Sequence, residues 1–299
     1  MNDLTFSIVI PSYNRELFIR KTIESILCQT FTDFEIIVVD DGSTDNTTSV
    51  VKSMMESDSR IRLHEKSNEE RAVARNAGTN LARGKYVTFL DSDDLLYENH
   101  FEAAHEIIEK YDNPQVFRLR YEFQDVSGKL ISQSKELPQI GNDFLIKGNF
   151  LACCGVFLRR DVALENQFNT DLGLTGTEDY ELWLRIAGRY PLYCDNRITA
   201  AMVQHDARSV MTTDLNRLVK RIELLEKYLF EDEAFMQRFH KAIPDLQANN
   251  RVYIALHLAL TNNNRLEAVK YLMKALSFSS KALQNRAFYG TIKRLFIPL

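Results

Sequence analysis

Tyr86-Val87-Thr88-Phe89-Leu90-Asp91-Ser92-Asp93-Asp94 is the stretch that decides how the rest of the chain folds. An apolar run of this length, rich in β-branched and aromatic residues, suits a strand buried on both faces. It runs directly into a cluster of carboxylates. Two earlier segments have the same form. Residues 6–10 read as a buried strand closed by Pro11 and followed by Ser12-Tyr13-Asn14-Arg15. Residues 35–39 read as a second, ending in Asp40-Asp41-Gly42-Ser43-Thr44-Asp45. Between the strands lie stretches with apolar residues at helical spacing, such as Ile19, Ile23, Ile26 and Leu27. Helices are expected over 44–57, with Ser43 or Thr44 as N-cap, over 71–81 and over 99–111, with a short strand at 61–64. Alternating strands and helices imply an α/β domain built on a parallel sheet with right-handed crossovers.

In such a sheet, ligands bind beyond the carboxyl ends of the strands. Asp40, Asp41, Asp45, Asp91, Asp93 and Asp94 would then share one rim. Crowded carboxylates repel, and a hard cation with oxygen ligands is the natural counter-charge. Other nucleotide motifs are missing. The sequence has no GxxxxGK[ST] and no GxGxxG after its first strand, and 91–94 lacks the glycine and terminal glutamate of an EF-hand loop. A nucleoside diphosphate site whose metal bridges phosphate oxygens remains.

Five segments in order carry a family resemblance: Ser7-Ile8-Val9-Ile10-Pro11-Ser12-Tyr13-Asn14, Val38-Val39-Asp40-Asp41-Gly42-Ser43-Thr44-Asp45, Ala74-Arg75-Asn76-Ala77-Gly78, Phe89-Leu90-Asp91-Ser92-Asp93-Asp94, and Thr177-Glu178-Asp179-Tyr180-Glu181-Leu182-Trp183-Leu184-Arg185. Together they resemble glycosyltransferase family 2 over about residues 5–210. The resemblance implies the GT-A fold, a Rossmann-like, mostly parallel sheet flanked by helices. It also implies an inverting transfer from a nucleotide-sugar, uridine-linked by expectation, with Mn²⁺ or Mg²⁺ as cofactor. Tyr13 would flank the base and Pro11 and Ser92 would line the donor site. Asp41 would accept a hydrogen bond from the ring imide. Arg71 and Arg75 would lie near the base or the diphosphate. Asp91 would stand on the sugar or ribose side, Asp93 on the metal, and His205 near the metal and diphosphate. Asp179 would be the general base.

These residue types suit that chemistry. A carboxylate takes the proton of a poorly nucleophilic sugar hydroxyl. A divalent cation stabilises the leaving diphosphate. A helix starting at Glu178 would keep Asp179 ionised. Each residue also has a plainer role. Asp40, Asp41 and Asp45 suit turns and N-caps, Asp94 a turn, Glu178 and Asp179 a helix start. His205 suits surface or core as well as a metal, and Trp183 suits core packing or an acceptor platform.

The chain has 299 residues, 45% of them apolar, enough for a sizeable core. Its net charge of −4 argues against a nucleic-acid partner. Cys28, Cys153, Cys154 and Cys194 form no CxxC and read as reduced thiols of a cytoplasmic protein. Neither a basic leader nor an apolar stretch of spanning length is present. Composition divides the chain into a catalytic domain, 1–212, and a helical region, 213–299. There, two apolar stripes are expected to pack: Leu215, Leu218, Ile222, Leu225 and Leu229, then Leu266, Val269, Met273 and Leu276. After Glu267, Lys270, Lys274, Lys281, Arg286, Lys293 and Arg294 meet no further acid. They make either a peripheral contact at the inner face of the plasma membrane or a solvated helix pair. The expected acceptor is a glycan or lipid-linked glycan in cell-surface polysaccharide or glycolipid assembly. Three alternatives are open to test. A polysaccharide polymerase would add membrane helices and a QxxRW motif, both missing here. A sugar nucleotidyltransferase would have a glycine-rich basic loop where 11–15 stands. A non-catalytic binder would not need intact Asp91, Asp93 and Asp179.

Overall fold

The computed structural model describes residues 4–205, 214–260 and 265–296. In chain order the strands and helices are β1 (Phe6–Ser12), α1 (Ile19–Leu27), β2 (Phe34–Asp40), α2 (Thr47–Met55), β3 (Ile61–Glu65), α3 (Arg71–Leu81), β4 (Tyr86–Phe89), β5 (Leu95–Leu96), α4 (His100–Lys110), β6 (Val116–Asp125), β7 (Leu130–Gln133), β8 (Val156–Arg159), α5 (Arg160–Glu165), α6 (Glu178–Arg189), β9 (Leu192–Gln204), α7 (Leu215–Glu231), α8 (Glu233–Phe239), α9 (Ile243–Leu260), α10 (Arg265–Phe278) and α11 (Arg286–Phe296). The sheet runs β3-β2-β1-β4-β8-β6-β9-β5, with β7 paired to β6. The β3-β2-β1-β4 portion is parallel throughout. Beyond it β8 runs antiparallel to both β4 and β6, and β9 is parallel to β6. The sheet is therefore mostly parallel, with a reversal in the half that no βα repeat predicted.

Packing explains the order. Every residue of β1 and β2 is buried, so both faces of these strands need cover. One face meets Ile19, Ile23, Ile26, Val51 and Phe101, with Phe6 stacked on Phe101 at 5.1 Å. On the other face α3 comes close enough that a Cβ at Gly78 would stand 2.2 Å from Val9 Cγ1. Only a hydrogen fits there.

Contacts divide the chain into two units. One comprises 1–141, 151–170 and 190–208; the other comprises 142–150, 171–189 and 209–299. The single cut expected from composition, between 212 and 213, leaves 142–150 and 171–189 with the sheet. By contacts they belong with the helices. Within the helical unit, Leu218, Ile222, Leu225 and Leu229 are buried, as their spacing suggested. On α10 the outcome is reversed: Ala268, Leu272 and Ala275 are buried, whereas Leu266 is 80% and Met273 62% exposed. Alanines let α10 lie close against α9, and Leu266 and Met273 face outward. A buried ion pair ties α7 to α9: Arg251 grips Glu226 with both terminal nitrogens, Nη2 at 2.9 Å, and Asn250 adds a 3.0 Å hydrogen bond. Trp183 is 1% exposed and packs in this unit. Cys153, Cys154 and Cys194 are buried free thiols and Cys28 is exposed. Among the described residues no helix is long and apolar enough to cross a membrane.

Candidate active site

The first two strand ends are knitted into one surface. β1 does not stop at Pro11 but continues to Ser12. The Val9 carbonyl accepts from the Leu90 N–H just past β4, and the Ser12 carbonyl accepts from the Asp41 N–H on the other side. Pro11 therefore faces the side where β4 has already ended at Phe89, so its missing N–H costs no ladder bond. Asn14, at φ 52°, then reaches across: its N–H donates to Ser43 Oγ (2.9 Å) and its Oδ1 accepts from the Thr44 N–H (2.8 Å). Ser43 and Thr44 thus serve this crossing rather than a helix cap, and α2 begins three residues later than expected, at Thr47. The turn at Gly42, with φ 79°, is closed by Asp40 Oδ2 accepting from the Ser43 N–H. Tyr13 is left 45% exposed beside this turn.

Asp41 is buried and its Oδ1 accepts from Lys66 Nζ (2.7 Å) and the Glu69 N–H (3.0 Å). Lys66 also meets Glu69 Oε2 at 2.9 Å. Lys66 and Glu69, both on the loop leading into α3, thus hold this carboxylate in place.

The end of β4 is held by a set of side-chain contacts. Asp91 Oδ1 accepts from Arg75 Nη2 at 2.7 Å, and Arg75 itself is 2% exposed. The Arg75 guanidinium lies 5.2 Å from the centre of the Phe168 ring, and Asn76 holds Phe168 by both its backbone N–H and carbonyl. Two residues on, Asp93 Oδ2 lies 3.0 Å from His205 Nε2 and 3.7 Å from Arg15 Nε. The His205 ring stacks on Phe18 at 4.4 Å and 22°. Asp94 explains how His205 arrives: its Oδ1 accepts from the Val203 N–H at 3.0 Å, pinning the end of β9 against the β4 turn. That turn is held from below by Thr22 Oγ1, 3.0 Å from the carbonyls of both Ser92 and Asp94. Ser92 and Pro11 are buried within this frame, and Arg71 lies half-buried in the first turn of α3.

A divalent cation fits these groups. Among the described residues no three His, Cys, Asp or Glu side chains gather as ligands, but Asp93 and His205 do converge. One or two protein ligands, with substrate phosphates and water supplying the rest, is the usual arrangement for Mg²⁺ at a nucleotide. Among the described residues His205 Nδ1 is buried without a hydrogen-bond partner, and the Phe18 stack and the Nε2 contact hold the ring.

Asp179 belongs to the helical unit, at the second position of α6. Its Oδ1 accepts from the Tyr180 N–H at 2.7 Å and its Oδ2 from Asn149 Nδ2 at 3.3 Å. The neighbouring acids are committed elsewhere: Glu178 is buried and accepts from the Gly176 N–H, and Glu181 is buried against Arg185. Burial pushes the Glu181 carboxyl up, with Arg185 pulling the other way. Asp179 is the half-exposed member of the three, and the helix N-terminus favours its charge.

The structure thus brings together Asp93 with His205 and Asp91 with Arg75, while Asp41 has its own basic partner. Arg15, Phe18, Lys66 and Asn149 were not foreseen. Arg15 stood inside a quoted strand end and could have been weighed as a counter-charge; Phe18, Lys66 and Asn149 carry no sequence signal of their contacts.

Comparison with known proteins agrees. The model of "Glycosyl transferase family 2" matches residues 7–167. A Rickettsia felis protein named as an uncharacterized glycosyltransferase is 35% identical over 314 positions, covering 99% of this chain and 51% of that protein. The chain spans about half or less of the length of the Rickettsia relatives it matches. An Escherichia coli protein, UDP-Glc:alpha-D-GlcNAc-diphosphoundecaprenol beta-1,3-glucosyltransferase WfgD, is 35% identical over 204 residues, covering 67% of this chain and 74% of that one. Among solved structures, S. aureus TarS 1–349 in complex with UDP-GlcNAc aligns with a TM-score of 0.64 at 16% identity, covering 94% and 92% of the two chains. The mannosyltransferase PcManGT from Pyrobaculum calidifontis, in complex with GDP-Man and Mn²⁺, aligns with a TM-score of 0.58 at 16% identity, covering 98% and 87%. These two share the fold. With the ordered strand ends, the match over 7–167 and the relative that covers nearly its whole length, the chain belongs to glycosyltransferase family 2.

Proposed function

We propose that the chain moves one sugar from a uridine diphosphate sugar to an acceptor hydroxyl, with inversion at the anomeric carbon. The observation that carries this reading is the convergence of Asp93 and His205, 3.0 Å apart, at the end of β4. Asp41 accepts from the uracil imide while Lys66 and the Glu69 N–H hold its carboxylate in place. Tyr13 flanks the base. Arg75 fixes Asp91 toward the ribose or sugar, and Arg71 lies toward the base or diphosphate. Asp93 and His205 would hold Mn²⁺ or Mg²⁺, which when bound neutralises charge on the departing diphosphate. The acceptor oxygen forms its bond to the anomeric carbon as the bond from that carbon to phosphate oxygen breaks. The electron pair leaves with the diphosphate, and the acceptor proton passes to Asp179. The names of WfgD and of the TarS complex both carry a UDP-sugar, which supports uridine here.

The WfgD acceptor, by its name, is a sugar on diphosphoundecaprenol. We place the acceptor of this chain in the same class, a glycan or lipid-linked glycan for surface polysaccharide or glycolipid assembly. The reaction would then run at the cytoplasmic face of a membrane. The outward apolar residues of α10, Leu266, Val269 and Met273, with Lys274 among them, support a peripheral contact.

Nucleotide-sugars screened with Mn²⁺, reading nucleoside diphosphate release, test the activity. UDP release that disappears in Asp93→Ala is expected. Pyrophosphate release would instead mark a nucleotidyltransferase, and equal use of all nucleoside diphosphate sugars would remove Asp41 from base recognition.

A further inference from the structure

The loop entering α6 bends at Gly176, where φ is +90°. A Cβ there would be strained, and it would lie 3.1 Å from Nη1 and 3.4 Å from Cζ of Arg221 on α7. The guanidinium therefore rests against the backbone three residues before Asp179. Arg221 is half-buried, and among the described residues it has no hydrogen bond or carboxylate partner. Other half-buried arginines of this fold are matched: Arg62 with Glu35 and Arg185 with Glu181. Tyr253 of α9 completes the group. It is 38% exposed. Burial pushes its phenol up, and the charges of Arg221 and Asp179 act on it in opposite directions, so both charges lie near it.

A partly desolvated arginine without a counter-charge is costly unless a ligand supplies one. Its planar fork matches phosphate and carboxylate oxygens in pairs. We infer that Arg221 and Tyr253 form a subsite beside Asp179 for an anionic group of the acceptor, a phosphate or a carboxylate. This rests on the reading of Asp179 as the residue that faces the acceptor hydroxyl. Arg221 binds the anion, the Tyr253 ring and hydroxyl bound the sugar next to it, and the attacking hydroxyl is thereby set at Asp179. The same cation offsets the repulsion that an anionic acceptor would meet from Asp179 itself.

Three short soluble acceptors with one sugar in common test this: a diphospho-alkyl glycoside, a neutral alkyl glycoside and an alkyl disaccharide carrying a uronic acid. Acceptor binding is measured with UDP and Mn²⁺ present, and transfer separately. The native chain should prefer at least one anionic acceptor by about 10–100-fold, the scale of a charge-assisted contact. Arg221→Gln should erase that preference through the acceptor KM, and Arg221→Lys should keep part of it. A preference for the diphosphate alone marks a lipid-linked acceptor; one for the uronate alone marks an acidic sugar. An unchanged preference in Arg221→Gln, or none in the native chain, overturns the subsite. Normal turnover of Asp179→Asn would defeat the base assignment instead, while the binding comparison still decides on Arg221.

Discussion

Glu70 holds φ 79° and ψ 161° at the start of α3, without a side-chain cap. That region is essentially restricted to glycine, and a residue held there stores on the order of 1–3 kcal/mol. The preceding residue explains why the strain persists: the Glu69 N–H must reach Asp41. Glu70→Gly should release the strain. After about 0.5–1 kcal/mol for the freer unfolded chain, a net gain near 1 kcal/mol is expected, read as a higher urea midpoint. A lower midpoint would show that the Glu70 conformation carries no cost. At this scale the carboxylates were legible because an apolar strand running into Asp91 and Asp93 has few other uses. Their partners were not. Lys66 and Asn149 sit in loops of ordinary composition, and only the folded backbone brings them to Asp41 and Asp179.

Elements were legible where period and burial agree. Helix α3 falls on the expected 71–81. They failed where small residues changed the packed face. On α10 the leucine and methionine stripe is exposed because Ala268 and Ala275 make the close contact. Of the cations that follow Glu267, Lys270 pairs with Glu267 and Lys281 with Asp245. Among the described residues that leaves Lys274, Arg286, Lys293 and Arg294 outside these pairs, with Lys274 on the same helix as the outward apolar residues. Each basic residue near an anionic surface adds about 1 kcal/mol, and salt screens it within roughly 10 Å. Sedimentation with anionic vesicles at low salt should carry the protein down, and Leu266→Ser with Met273→Ser should leave it in solution. Equal sedimentation of the native and double-substituted protein would assign any membrane contact to another surface.

Over the whole molecule, one buried histidine sets an acid limit. His100 is fully buried, within hydrogen-bond distance of Thr199 Oγ1 at 2.8 Å. Burial pushes its pKa down to about 3, with the Thr199 contact acting the other way. Unfolded, the imidazole titrates near 6.5. Above that pH both states are neutral and stability is full. As pH falls from 6.5 toward 3 the unfolded chain takes the proton and the folded chain does not. Stability then falls by about 1.4 kcal/mol per pH unit. Unfolding free energies from urea titrations at about pH 7.5 and about pH 5 should differ by roughly 2 kcal/mol more in the native chain than in His100→Phe. Equal differences would place the acid sensitivity elsewhere.

At the same scale the fold class followed from alternating elements, but the division into units did not. Segments 142–150 and 171–189 lie far from the C-terminal helices in sequence and join them through packing that no local pattern encodes. The proposed base therefore sits with the helices, and the proposed metal and base-reading residues sit with the sheet. Turnover of Asp179→Asn with a UDP-sugar and its acceptor tests the central claim most directly. A loss on the order of 10²–10⁴-fold with donor affinity retained is the expected result; near-native turnover would contradict it.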